Sequence, residues 1–111
     1  MHLNEKQRKD IHQIIEDAKQ AEYKGFNTVV ADAIAELKKG LKSEEGAYNK
    51  IYKKVIKNEH HLVHRYANLN DDKSLSTLAE VFSEKIVKMV DFENLDDFVK
   101  KEVYKIIGIN A

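Results

Sequence analysis

Apolar residues return at the i, i+3, i+4, i+7 spacing of a single helix face in segment after segment of this chain. That period confines the fold to packed helices. The β-forming pairs Val29-Val30 and Ile106-Ile107 do not sit in alternating apolar/polar runs bounded by turn residues, so they do not argue for strands. Proline is absent, and nothing in the sequence forces a kink inside a helix. At 111 residues the chain is long enough to hold one core without staples, and we read residues 1–111 as one helical domain.

Caps and glycines suggest where the helices begin and end. Asn4 or a neighbour opens a first helix with the stripe Ile11, Ile14, Ile15, Ala18, and Gly25 is expected to end it. Asn27 then caps a second helix carrying Val30, Ala33, Ile34 and Leu37, closed at Gly40 behind Lys38 and Lys39. Ser43, followed by Glu44 and Glu45, starts a third, whose arc Tyr48, Ile51, Tyr52, Val55, Leu62, Val63, Tyr66 is the clearest stripe in the sequence. After a loop and cap at residues 68–72, a fourth helix runs through Leu75, Leu78, Ala79, Phe82, Ile86, Met89 and Val90. A last one follows a break at Asp91 to Asn94 and carries Leu95, Phe98, Val99, Val103 and Ile106. Gly108 ends it, with Ile109 placed for a C-cap contact. Connections this short favour antiparallel neighbours, so the expected fold is all-α: a compact antiparallel bundle of four to five short helices. Ile51, Val55, Leu78, Phe82 and Val99 are its predicted core.

Composition removes several function classes. Lys plus Arg and Asp plus Glu both total 19, so no global field steers the chain onto nucleic acid or an anionic membrane. Cysteine is absent, which removes disulfides and thiolate chemistry and fits a cytoplasmic protein. The charged start from His2 to Lys6 contains no apolar signal core, and the longest mainly apolar stretch, Val29 to Ala35, is interrupted by Asp32. No membrane insertion is expected. With four glycines there is no glycine-rich phosphate loop, dinucleotide fingerprint or nucleophile elbow, and no cofactor is implied.

Three groups of residues remain as candidates. The first is carboxylates on apolar faces. The helical wheel puts Glu59 in the middle of the third helix's arc and Glu22 at an equivalent position on the first, where an acid must be paired, hydrogen-bonded, protonated or set beside a cavity. Glu102 flanks the stripe of the last helix. Inward carboxylates resemble those of di-iron bundles, but the required Glu-x-x-His pairs are missing: Lys9, Lys57, Asn58 and His61 stand three residues before His12, His60, His61 and His64. Glu59 and Glu22 therefore define a candidate ligand or acid/base pocket.

The second group is histidines. His60 and His64 are spaced i, i+4, as a shared divalent cation would need, but further ligands are not evident and the segment lacks the His-Glu-x-x-His of a zincin. No metal is assigned. The third is a basic stripe, Lys50, Lys53, Lys54, Lys57, His61 and His64, opposite the presumed core of the same helix. Residues 41–66 hold six basic against three acidic side chains, and residues 67–111 hold six against nine. Without interleaved arginines or stacking aromatics on that face the stripe suits an acidic partner better than nucleic acid.

No family resemblance emerges; small helical immunity proteins, antitoxins and adaptors share only size and class. The reading is a non-enzymatic binding module for another protein or its own copy, with a pocket around Glu59 and Glu22 as the rival and a nucleic-acid role for the basic stripe as a weaker alternative.

Overall fold

The computed structural model describes residues 2–108. Five helices account for about four-fifths of them: α1 (Glu5–Lys38), α2 (Glu44–Tyr66), α3 (Asp71–Ser83), α4 (Met89–Glu93) and α5 (Asp97–Ile107). No strand occurs among the described residues, and the fold is all-α. The expected contact of Ile109 lies outside the described residues.

Local chemistry sets most of the helix ends. Asn4 and Gln7 form a reciprocal capping box, the Gln7 N–H donating to Asn4 Oδ1 at 2.8 Å and the Asn4 N–H to Gln7 Oε1 at 2.9 Å. Ser43 Oγ accepts from the Gly46 N–H, Asn70 Oδ1 from the Lys73 N–H and Asp96 Oδ1 from the Val99 N–H. Gly40 and Gly108 take the left-handed conformation that closes α1 and α5, with φ of 74° and 78°.

Two expected boundaries are corrected. Gly25 does not end the first helix, because α1 runs through it for 34 residues and absorbs the predicted second helix. A glycine inside a helix costs only about 1 kcal/mol relative to alanine, less than packing on either side supplies. The fourth helix stops at Ser83 instead of continuing to Val90. Lys85 adopts φ of 60°, its N–H donating to the Phe82 carbonyl and the Ile86 N–H to the Val81 carbonyl. This is a Schellman ending with lysine where glycine is usual, and therefore silent in the sequence. The residues beyond it form the short α4, and α5 begins two residues later than an Asn94 cap would place it, Asp96 being the cap instead.

The chain divides into two compact units, one made of the chain up to Gln20 together with that from Tyr66 onward, the other of Ala21–Arg65. The first unit holds the hydrophobic core. Leu3, Ile11, Ile14, Ile15 and Ala18 meet Leu75, Leu78, Ala79 and Val81 of α3, Phe92 of α4, and Leu95, Val99 and Val103. Phe92 is fully enclosed, stacked on Phe82 at 4.2 Å between ring centroids and edge-on to Tyr104 at 5.5 Å. Predicted core residues Leu78 and Val99 are buried here, and Phe82 is partly so. The N-terminal segment is tied down by Asp71, which accepts from Arg8 Nε at 2.8 Å, Arg8 Nη2 at 3.0 Å and the Leu3 N–H at 2.9 Å. The paired guanidinium, and then the Leu3 amide, hold the Asp71 carboxyl far below the usual carboxylate range.

The second unit is a helical hairpin of α1 beyond Gln20 and α2, joined at Gly40 to Ser43. Its ion pairs fix the antiparallel register. Near the turn, Glu36 takes Lys50 at 2.8 Å and Lys42 at 3.5 Å; at the far end Glu22 takes Arg65 at 2.8 Å and His61 at 2.9 Å. The hydrogen bond from Lys50, opposed by some desolvation, lowers the Glu36 carboxyl below its ordinary value.

Candidate functional site

The hairpin packs on a face of α2 that the sequence did not favour. Ala47, Leu62 and Arg65 are its buried residues, with Lys50, Ile51, Lys54, Asn58 and His61 half-buried between them. At ~100° per residue these lie about a third of a turn from the centre of the arc formed by Tyr48, Tyr52, Val55, Glu59 and Val63. The most apolar side of α2 is consequently in water. Tyr48 is 65% exposed, Tyr52 52%, Val55 39%, Ile56 51% and Val63 59%. The expected burial of Val55 is thus corrected, and Ile51 is only half-buried.

The same side of the hairpin continues onto α1. Helical geometry places Tyr23 and Ile34 on the flank adjoining the exposed arc of α2, with Leu41 at the turn, and all three are exposed. Tyr48 and Tyr52 stack on each other across one turn, centroids 5.9 Å apart and planes 10° from parallel. An apolar side of this extent on a folded chain marks an interaction surface more often than an accident of composition.

Glu59 belongs to this side. Its place within the apolar arc is as the wheel gives it, but the arc faces solvent, so the carboxylate is exposed rather than inward. Glu22 is the inward acid, its side chain 14% exposed and Arg65 beside it 6%. The Arg65 Nη1 donates to Glu22 Oε1, and His61 Nε2 shares the same oxygen when it carries the proton. With the Arg65 guanidinium and the His61 imidazole on one oxygen, the carboxylate is satisfied by charge-assisted bonding rather than set up as a base. A shallow cavity of about 340 Å³ adjoins this cluster, with Glu22, Gly25 and Phe26 on one wall and Lys54, Lys57, Asn58 and His61 on the other.

The basic stripe is divided by the fold. Lys50 is engaged by Glu36 and His61 by Glu22, Lys54 and Lys57 border the cavity, and Lys53 and His64 are exposed. His60 and His64 meet edge to face, ring centroids 4.4 Å apart, and both are exposed. Among the described residues no three His, Asp or Glu side chains converge as metal ligands. Glu102, on α5, pairs with Lys105 at 3.2 Å.

Sequence reasoning missed Arg65 and Glu36, the buried cation and the central anion of the hairpin. Their partners lie 43 and 14 residues away, so the only local signal was an Arg four residues after His61 on one face. No described helix is long and apolar enough to cross a membrane. Comparison with protein-family models, with curated proteins and with solved structures finds no match to the chain.

Proposed function

We propose that the chain is a non-enzymatic protein-interaction module whose docking surface is the apolar side of the Ala21–Arg65 hairpin. One observation carries this reading: α2 buries Ala47, Leu62 and Arg65 and leaves the larger apolar set Tyr48, Tyr52, Val55, Ile56 and Val63 in water. Burying an apolar side chain from water is worth about 1.5–3 kcal/mol, so a partner covering this side gains what the hairpin itself forgoes. Tyrosine suits such a surface, with a large rigid ring and a hydroxyl that tolerates both wet and dry states. Immunity, antitoxin and adaptor proteins act in this manner, and the reading is of that type. A cytoplasmic setting goes with it, since a cysteine-free chain draws nothing from an oxidising compartment.

The test is affinity capture from the native host with the parent chain and with Val55→Glu and Val63→Glu, both at exposed positions that leave the helix intact. A specific protein retained by the parent and lost by both variants supports the reading; retention by all three removes the surface from the interaction. A small-ligand pocket keeps only Glu22 of its two acids, since Glu59 is in water. Its carboxylate is already held by Arg65 and His61. The nucleic-acid reading loses Lys50 and His61 to intramolecular acids.

A further inference from the structure

We propose that the hairpin carries a second, separate site: the cavity between α1 and α2 bordered by Lys54 and Lys57 takes a small phosphate monoester. Helical geometry sets these lysines on the side of α2 away from Tyr48, Tyr52 and Val63, so the site is independent of the docking surface. Cations along α2 outnumber the acids that α1 sets against them. Lys50 takes Glu36, and Arg65 and His61 share Glu22. Between those two acids α1 offers Gly25 and Phe26 at the cavity wall, neither of which carries charge. Lys54 and Lys57 border the same cavity, and among the described residues neither ammonium forms a hydrogen bond or an ion pair. Lys54 is half-buried, as is Asn58 beside it, whose side-chain amide makes no hydrogen bond either. Asp32, the third acid in this stretch of α1, is exposed and pairs with neither lysine. Charge held partly out of water without a counter-ion is costly, and an anion in the cavity offsets it.

The number and spacing of the cations set the class of ligand. Residues three apart on a helix have Cβ atoms about 5–6 Å from one another, so both ammoniums can close on one group. A phosphate monoester puts two charges on one centre at neutral pH, its second ionisation lying at about pH 6. A single carboxylate balances only one lysine. The Asn58 amide adds a neutral donor, and Phe26 and Leu62 give an apolar wall for the organic part of the ester. Glu22 also borders the cavity, but Arg65 and His61 already engage its Oε1. Gly25 keeps the α1 side open, since an added Cβ there meets nothing within 4 Å. At about 340 Å³ the cavity lies at the small end of ligand pockets, the size for a phosphorylated ring or short chain.

Isothermal titration calorimetry of the full chain tests this with phenyl phosphate as probe, beside inorganic phosphate and benzoate, at about pH 7.5 where the ester is mostly dianionic. The expected result is saturable binding of one phenyl phosphate per chain, tighter than either comparison ligand. Lys54→Gln and Lys57→Gln should each weaken it roughly tenfold, as loss of one charged hydrogen bond does. Lys24→Gln removes the same charge from the exposed outer face of α1 and should leave the affinity within about twofold. Circular dichroism verifies that each variant remains helical. Absence of saturable binding overturns the site, as does indifference to both Lys54→Gln and Lys57→Gln or an equal loss with Lys24→Gln. Benzoate bound as tightly as phenyl phosphate overturns the phosphate class. Inorganic phosphate bound as tightly overturns the monoester, because the apolar wall then contributes nothing.

Discussion

Tyr48 and Tyr52 stack on one another at the surface of α2, ring against ring at 5.9 Å, although they head the clearest apolar arc in the sequence. Their position separates the residues that stabilise the folded chain from those available to something else. Ala substitution at Tyr48, Val55 or Val63 should change the stability of the monomer by less than about 0.5 kcal/mol, the usual range for surface positions. Leu78→Ala, in the closed core of the first unit, should cost about 2–5 kcal/mol. Urea melts at a concentration too low for association would compare the two sets. Equal losses would mean that the arc is buried after all.

The Glu22–Arg65 pair closes the far end of the hairpin, and removing either charge unbalances the other. Glu22→Gln should destabilise the chain by about 3 kcal/mol, because it removes the carboxylate charge that faces the buried Arg65 guanidinium. Replacing both by apolar residues, as in Glu22→Leu with Arg65→Met, should recover most of that loss. Thermal melts of the single and double variants give the comparison; a double variant as unstable as the single would show that the pair contributes more than charge balance.

Asp71 makes the first unit sensitive to acid. Its carboxyl is held below the ordinary range by Arg8 and by the Leu3 amide, so it contributes stability above the unfolded carboxylate pKa of about 4 and loses it as pH falls toward the folded value. Asp71→Asn should therefore be less stable than the parent at neutral pH, with the gap closing progressively below about pH 4. A gap that is constant from neutral pH into acid would assign the effect to helix capping rather than to the ion pair.

Continuity of α1 through Gly25 has a simple consequence. An added Cβ at this position meets nothing within 4 Å, and Gly25→Ala should stabilise the chain by about 1 kcal/mol. The complementary change is Lys85→Gly, which relieves a left-handed lysine at the end of α3 and should add about 1 kcal/mol. Denaturant midpoints measure both. A loss at Gly25→Ala would indicate that the helix bends or breaks there.

The helix ends legible in the sequence are those set by neighbouring residues: the Asn4–Gln7 box, Ser43, Asn70, and the left-handed glycines Gly40 and Gly108. What failed was set at a distance or by exception. Gly25 carries a stop signal that packing outweighs, and Lys85 carries none where α3 turns. The arc of α2 is apolar and contains Glu59, but the sequence reading turns that arc inward and the structure leaves it exposed. Periodicity, however, says which side of a helix gains from burial and not which partner buries it. Glu22 was picked out by its position, but its partners Arg65 and His61 belong to another helix, and only the folded hairpin brings the three together.

On the proposed reading the apolar side of α2 is covered when the protein acts. Covalent footprinting of tyrosine and aliphatic side chains tests it most directly, comparing the dilute monomer with the chain in complex with whatever the parent, but not Val63→Glu, retains, a second copy included. Tyr48, Tyr52, Val55 and Val63 should react freely in the monomer and become protected together in the complex, while exposed positions on α5 such as Phe98 remain unchanged. Equal reactivity of the four residues in both states, with protection appearing elsewhere, would contradict the account.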